Sequence, residues 1–73
     1  MNVTLEVSNL PEIITARQVA VAFEEYGPVI SSDLLDRRRA LVVMERTSGE
    51  LARQALGGVS WSSTALGIRE IRS

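Results

Sequence analysis

The sequence has no cysteine and no histidine, and these two absences exclude most covalent and metal chemistry. Without cysteine there is no disulfide and no thiolate nucleophile. Without histidine there is no imidazole base for a triad and no zinc site of the usual kind. The carboxylates are scattered along the chain and form no acid/base constellation. We therefore expect a protein that is not an enzyme, with no catalytic residue, no metal site and no cofactor.

Lysine is also absent, and neither sign of charge is in large excess. All eight basic residues are arginine, nine residues are acidic, and the formal net charge is −1. Any nucleic-acid binding must therefore depend on a local basic patch, because no global positive field exists. No apolar run approaches the ~18 residues of a membrane span, and no signal peptide stands at the start. We expect an intracellular protein, in the nucleus or the cytoplasm, that does not bind membranes.

The length of the chain limits how much of it can be buried. With 73 residues, 45% of them hydrophobic, the sequence has material for one small core. By size scaling such a chain buries only about 60% of its unfolded surface. We expect residues 1–73 to form a single domain, cut from a longer protein.

The first half of the chain predicts a strand, a helix and a second strand. Val3, Leu5 and Val7 alternate with polar residues, which indicates a half-buried strand. Thr15 and Gln18 have the spacing of a capping box and predict a helix that ends at 27–28, where glycine is followed by proline. Residues 29–35 predict a second strand, at an edge of the sheet because its middle is polar.

The second half repeats this order with a strand, a helix and a strand. Residues 36–44 form the longest apolar run bounded by charge and predict a central strand led by three arginines. Thr47 and Glu50 predict a second capping box, followed by a helix with an apolar stripe of Leu51, Ala52, Ala55 and Leu56. Residues 59–64 are interpreted as a polar loop. Leu66, Ile68 and Ile71 predict the closing strand.

The order β-α-β-β-α-β predicts an α+β fold of the ferredoxin-like split β-α-β type. In this fold four strands form an antiparallel sheet, with both helices on one face. On the central strand, alternation then directs Ala40, Val42 and Met44 toward the helices. The side chains of 39, 41 and 43 are left on the open face.

Two segments of the chain resemble the motifs of the RNA recognition motif family. Residues 5–10, Leu-Glu-Val-Ser-Asn-Leu, are similar to the family's hexamer but carry Glu6 at the aromatic position. Residues 37–44, Arg-Arg-Arg-Ala-Leu-Val-Val-Met, are similar to its octamer but carry Arg39 and Leu41 at the two surface aromatic positions. The resemblance covers nearly the whole chain.

The resemblance implies that the chain is a module for single-stranded RNA. In this family sheet aromatics stack on bases, and each stacked base contributes about 1–3 kcal/mol. Loss of two stacked bases would remove roughly 2–6 kcal/mol, so we expect weak or atypical sheet-face recognition assisted by the arginine-rich turn. The predicted RNA-binding residues are Glu6, Arg37, Arg38, Arg39, Leu41, Val43, Arg69 and Arg72.

Other interpretations of the same residues remain open. The arginine turn is also typical of a solvated loop or of pairing with Asp33, Asp36 and Glu45. The apolar side chains on the open face favour a protein partner as an alternative to RNA. Trp61 either packs against the second helix or anchors a partner. The predicted protein-binding residues are Leu41, Val43, Trp61, Glu24 and Glu25. A small-molecule sensing domain with the same element order has less support, because no ligand motif is visible.

Overall fold

The computed structural model describes residues 1–11, 13–61 and 64–71 and contains the two predicted helices. Its elements in chain order are β1 (Asn2–Ser8), α1 (Ala16–Glu24), β2 (Val29–Asp36), β3 (Arg39–Glu45), α2 (Arg46–Leu56), β4 (Ser60–Trp61), β5 (Thr64–Ala65) and β6 (Gly67–Ile71). Within these described residues, both helices are too short and too polar to span a membrane.

The main sheet has the predicted split β-α-β topology. Its strand order is β2-β3-β1-β6, and all three pairings are antiparallel. The first and third strands therefore lie at the centre, and β2 lies at an edge, as its polar middle predicts. The predicted α+β, ferredoxin-like fold is confirmed.

The core lies between one face of the sheet and both helices. Alternate residues of β1 and β3 are buried together with residues of α1 and α2, so both helices cover the same face. The buried core residues are Leu5, Val7, Leu10, Val19, Phe23, Ala40, Val42, Met44, Ala52 and Leu66. Neither helix of the described residues covers the other face of the sheet.

The start of α1 agrees with the prediction, whereas the start of α2 does not. Thr15 Oγ1 accepts from the Gln18 backbone N–H at 3.1 Å, and the Gln18 side chain accepts from the Thr15 N–H at 2.9 Å. At α2 the N-cap is Glu45, whose carboxylate accepts from the backbone N–H groups of Thr47 and Ser48 at 2.8 and 3.3 Å. The capping box predicted at Thr47 was wrong because a carboxylate two residues earlier already caps the helix.

The predicted apolar stripe of α2 was also wrong in part. The buried residues of this helix are Gly49 and Ala52, with Leu56 half-buried, whereas Leu51 is 52% exposed and Ala55 is also exposed. Gly49 lies so close to β1 that an added Cβ would come within 2.7 Å of Val3 Cγ2. The helix therefore packs on a face of small residues, and Leu51, about 100° around the helix from Ala52, is directed outward.

The segment predicted as a polar loop over 59–64 contains a short hairpin. Strands β4 and β5 form their own two-stranded antiparallel sheet. Backbone hydrogen bonds close its base: the Gly58 N–H donates to Leu66 O at 2.9 Å, and the Leu66 N–H donates to Val59 O at 3.0 Å. Gly58 has a φ of +80°, a conformation that glycine adopts without strain. The hairpin was missed because two-residue strands are too short to show a period.

Candidate nucleic-acid interface

The open face of the main sheet is formed by alternate residues of its strands. The register places Leu41 of β3 and Arg69 of β6 on either side of Glu6 of β1. One row further along, Val43 and Ile71 lie on either side of Thr4. With Arg39, which contacts Glu6, this face therefore brings together five of the predicted site residues, Glu6, Arg39, Leu41, Val43 and Arg69, that are up to 63 positions apart in sequence.

Leu41 and Val43 lie on the face away from the helices, as predicted, but they are not prominent. Both are half-buried. The large exposed hydrophobic side chains lie elsewhere among the described residues, for example Leu35 on the edge strand β2 and Val21 on α1. The two aliphatic side chains therefore give the sheet an apolar floor without forming a projecting patch.

Glu6 lies within an arginine cluster at the centre of this face. Arg69 Nη2 donates to Glu6 Oε1 at 2.9 Å, and Arg39 Nη1 lies 3.9 Å from Glu6 Oε2. The Glu6 side chain is only 15% exposed, whereas those of Arg39 and Arg69 are 51% and 73% exposed. The carboxylate therefore lies low on the sheet and the two guanidiniums project above it.

Arg39 has a second carboxylate partner at the end of the hairpin. Arg39 and Asp36 are the strand pair that closes the β2–β3 turn, and Arg39 Nε donates to Asp36 Oδ2 at 2.7 Å. The Arg38 backbone N–H donates to Asp36 Oδ1 at 2.8 Å. These two hydrogen bonds, first that from the Arg38 N–H and then that from Arg39, lower the pKa of Asp36 below its ordinary value of 3.8. The pKa of Arg39 is raised in turn, mainly by the hydrogen bond to Asp36.

We expect the Asp36 carboxylate to contribute to stability only when it is ionised. Its pKa is lower in the folded than in the unfolded chain, so its contribution is present above the unfolded value and is lost as pH falls through the folded value. An NMR titration of the Asp36 carboxyl carbon should give a midpoint below 3.8. In the Arg39→Ala variant the midpoint should rise but stay below that value, because the Arg38 N–H remains. A wild-type midpoint at or above the ordinary value would contradict the hydrogen-bond arrangement.

Arg38 connects the β2–β3 turn to the loop after β1. Its Nε donates to Leu10 O at 3.0 Å, its Nη2 donates to Asn9 Oδ1 at 3.1 Å, and its own carbonyl accepts from the Leu10 N–H at 3.0 Å. Asn9 has a φ of +62° and also donates to Ala65 O at 2.7 Å. Arg38 therefore has a structural role that the sequence did not indicate, with part of its guanidinium left for other contacts.

Arg37 occupies the tip of the same turn, whose two central residues are Arg37 and Arg38. It is exposed, and within residues 1–11, 13–61 and 64–71 it makes no side-chain hydrogen bond or ion pair. Arg37 is therefore the member of the arginine turn whose whole guanidinium is available to a ligand. The predicted pairing of the turn with acidic residues holds for Arg39 and Asp36, whereas Arg37 has no acidic partner among the residues that the structure describes.

The described side chains of the alternative, protein-binding set do not form one surface. Glu24 and Glu25 are exposed at the end of α1, on the side of the sheet opposite to Leu41 and Val43. The backbone of Trp61 belongs to β4, but its side chain lies outside the described part of the structure, as does the whole of Arg72. The described members of this set are thus divided between two sides of the molecule.

Two residues of the open face were missed by reasoning from the sequence. Thr4 and Ile71 pair across β1 and β6 in the same row as Val43, and Ile71 continues the apolar floor across that row toward β6. The alternation within each strand was visible in the sequence, but the register between strands was not. No group of three or more His, Cys, Asp or Glu side chains within the described residues is arranged to hold a metal ion.

Known structures share this architecture closely. RNA recognition domains 1 and 2 of Sex-lethal from Drosophila melanogaster match with a TM-score of 0.90 at 20% identity, over 97% of this chain and 50% of that chain. The RRM domain of Puf1 from S. pombe matches with a TM-score of 0.86 at 26% identity, over 99% of this chain and 93% of that one. A Sex-lethal protein in complex with RNA matches with a TM-score of 0.83 at 30% identity, over 90% of this chain and 46% of that chain.

The comparisons by sequence are less informative than those by structure. No protein-family model matches the chain, and no curated protein matches it. The chain spans about half the length of the Sex-lethal chains but nearly all of the Puf1 domain. Together with the β2-β3-β1-β6 sheet and the helices on one face, these matches confirm the predicted resemblance: the chain has the fold of an RNA recognition motif.

Proposed function

We propose that this domain is a non-catalytic module that binds single-stranded RNA on its open sheet face, with the arginine turn at 37–39 contacting phosphates. The observation that supports this most directly is the uncovered sheet face, which presents the exposed guanidiniums of Arg39 and Arg69 beside the apolar floor of Leu41 and Val43. Guanidinium groups bind phosphates and stack on bases, and aliphatic side chains pack against bases. A similar fold at 30% identity occurs in a protein–RNA complex.

Among the described side chains, the open face has none of the aromatic residues that usually provide affinity in this fold. Leu41 offers contact area without a π-face, and stacking on aromatic side chains contributes about 1–3 kcal/mol per base. The expected binding is therefore weak and depends more on phosphate contacts than on stacking. Such binding weakens as salt is raised, with a slope of log K against log salt of about −0.7 per phosphate contact on a single strand.

The Arg37→Ala variant tests the phosphate contact at the tip of the turn. Loss of one exposed ion pair of about 0.2–1 kcal/mol should weaken binding to a degenerate single-stranded RNA by up to about fivefold. It should also reduce the salt slope by about 0.7. Fluorescence anisotropy with a labelled RNA pool, between low and physiological salt, measures both quantities.

Arg53→Ala is the matched control for this experiment. Arg53 is an exposed arginine on α2, on the covered side of the sheet, and its removal changes the net charge by the same amount. We expect its effect on affinity and on salt slope to be much smaller. Equal effects of the two variants would mean that only net charge matters and would contradict a phosphate contact at Arg37.

A further inference from the structure

The two arginines at the centre of the open face are already paired with carboxylates. Glu6 contacts the guanidiniums of both Arg39 and Arg69, and Asp36 contacts that of Arg39 as well. An RNA phosphate that approaches Arg39 or Arg69 therefore meets a cation that is already paired.

Glu6 is the carboxylate best placed to hold both arginines. It lies on the central strand β1, contacts one guanidinium at 2.9 Å and the other at 3.9 Å, and its side chain is only 15% exposed. An ion pair at this depth is less screened by salt than one between fully exposed side chains. Asp36, by comparison, contacts only Arg39 of these two arginines and its side chain is 47% exposed.

We propose that Glu6 is an internal competitor of RNA phosphate, a residue that lowers the affinity of the open face by occupying Arg39 and Arg69. This inference depends on the proposed function, because it concerns the regulation of the same site. Phosphate must displace the Glu6 carboxylate from a guanidinium before it can take its place. The cost of that exchange is the same for every base, so Glu6 reduces non-specific binding and leaves discrimination to the contacts made by bases.

The Glu6→Gln variant tests the proposal because it keeps the shape of the side chain and removes its charge. Taking one pair near the upper end of the range for exposed ion pairs, about 1 kcal/mol, the released arginines should raise RNA affinity about fivefold or more. The salt slope should become steeper by about 0.7 for each guanidinium that gains a phosphate. The increase should be similar for oligo(U) and oligo(C).

Glu50→Gln is the matched control, since it makes the same change of charge at an exposed residue of α2, on the covered side of the sheet, that also contacts an arginine. Chemical denaturation of both variants checks that they remain folded.

A double-mutant cycle adds a readout that does not depend on the absolute affinity. Arg69→Ala should reduce binding more in the Glu6→Gln background than in the wild type, because only there is Arg69 free to bind phosphate.

The possible outcomes separate this inference from the proposed function. If the wild type binds RNA and Glu6→Gln behaves like Glu50→Gln, the competitor role is wrong and the RNA-binding function stands. Weaker binding of oligo(C) by Glu6→Gln, with oligo(U) unchanged, would also overturn the inference, because it would make Glu6 an acceptor for the cytosine amino group. If neither the wild type nor Glu6→Gln binds at low salt, the proposed function itself fails, and the inference fails with it.

Discussion

Leu41→Phe should bind single-stranded RNA about 5- to 150-fold more tightly than the wild type. Leu41 lies on the open face of the central strand β3, directly across from Glu6, at a position where the family pattern has an aromatic residue. A phenylalanine there would add one stacked base, worth about 1–3 kcal/mol. Anisotropy titrations of both proteins with the same RNA pool, at equal salt, measure the ratio.

Leu51→Phe provides the matched control for this prediction. It introduces the same ring at a position of α2 that is 52% exposed and lies on the covered side of the sheet. We expect no comparable gain in affinity from this variant. If the wild type binds RNA and Leu41→Phe, like Leu51→Phe, binds it no more tightly, bases do not reach the centre of the sheet. In that case the site must be restricted to the arginine turn.

Phe23→Ala should destabilise the domain by about 3–5 kcal/mol. Phe23 is the largest of the fully buried side chains and is 0% exposed between α1 and the sheet. A 73-residue domain has a free energy of unfolding of about 4–11 kcal/mol at roughly 0.05–0.15 kcal/mol per residue. The variant should therefore lose a large part of its stability, and urea denaturation followed by circular dichroism measures the loss.

Val21→Ala separates this packing effect from a change in helix propensity. Val21 lies in the same helix two residues earlier and is 56% exposed. Surface substitutions of this kind change stability by only about 0.5 kcal/mol. A loss in Phe23→Ala as small as that in Val21→Ala would mean that α1 does not pack on the sheet through Phe23.

The fold could be predicted because its main signals are local. The alternation of Val3, Leu5 and Val7 and the capping box at Thr15 depend on neighbours within a few residues, and both lie where they were expected. Alternation along β3 likewise identified which side chains would lie on the open face before any partner strand was known. The order of such elements was then enough to favour one sheet topology.

The charge contacts of the site could not be predicted because they depend on register. Glu6 and Arg69 are separated by 63 residues, and only the pairing of β1 with β6 brings them together. Arg38 reaches Asn9 across 29 residues because the turn folds back over the loop after β1. A one-residue slip in either pairing would move these side chains to the other face, so alternation alone does not determine which charges meet.

A backbone amide NMR titration of the wild-type domain with a degenerate pool of short single-stranded RNA is the most direct test of the central claim. It reports on the open face, the arginine turn and the helices separately. We predict shifts at Glu6, Arg39, Leu41 and the turn that weaken from low to physiological salt, with the helical residues unaffected. No shifts on the open face at low salt, or shifts confined to α1 and α2, would contradict RNA binding by the sheet.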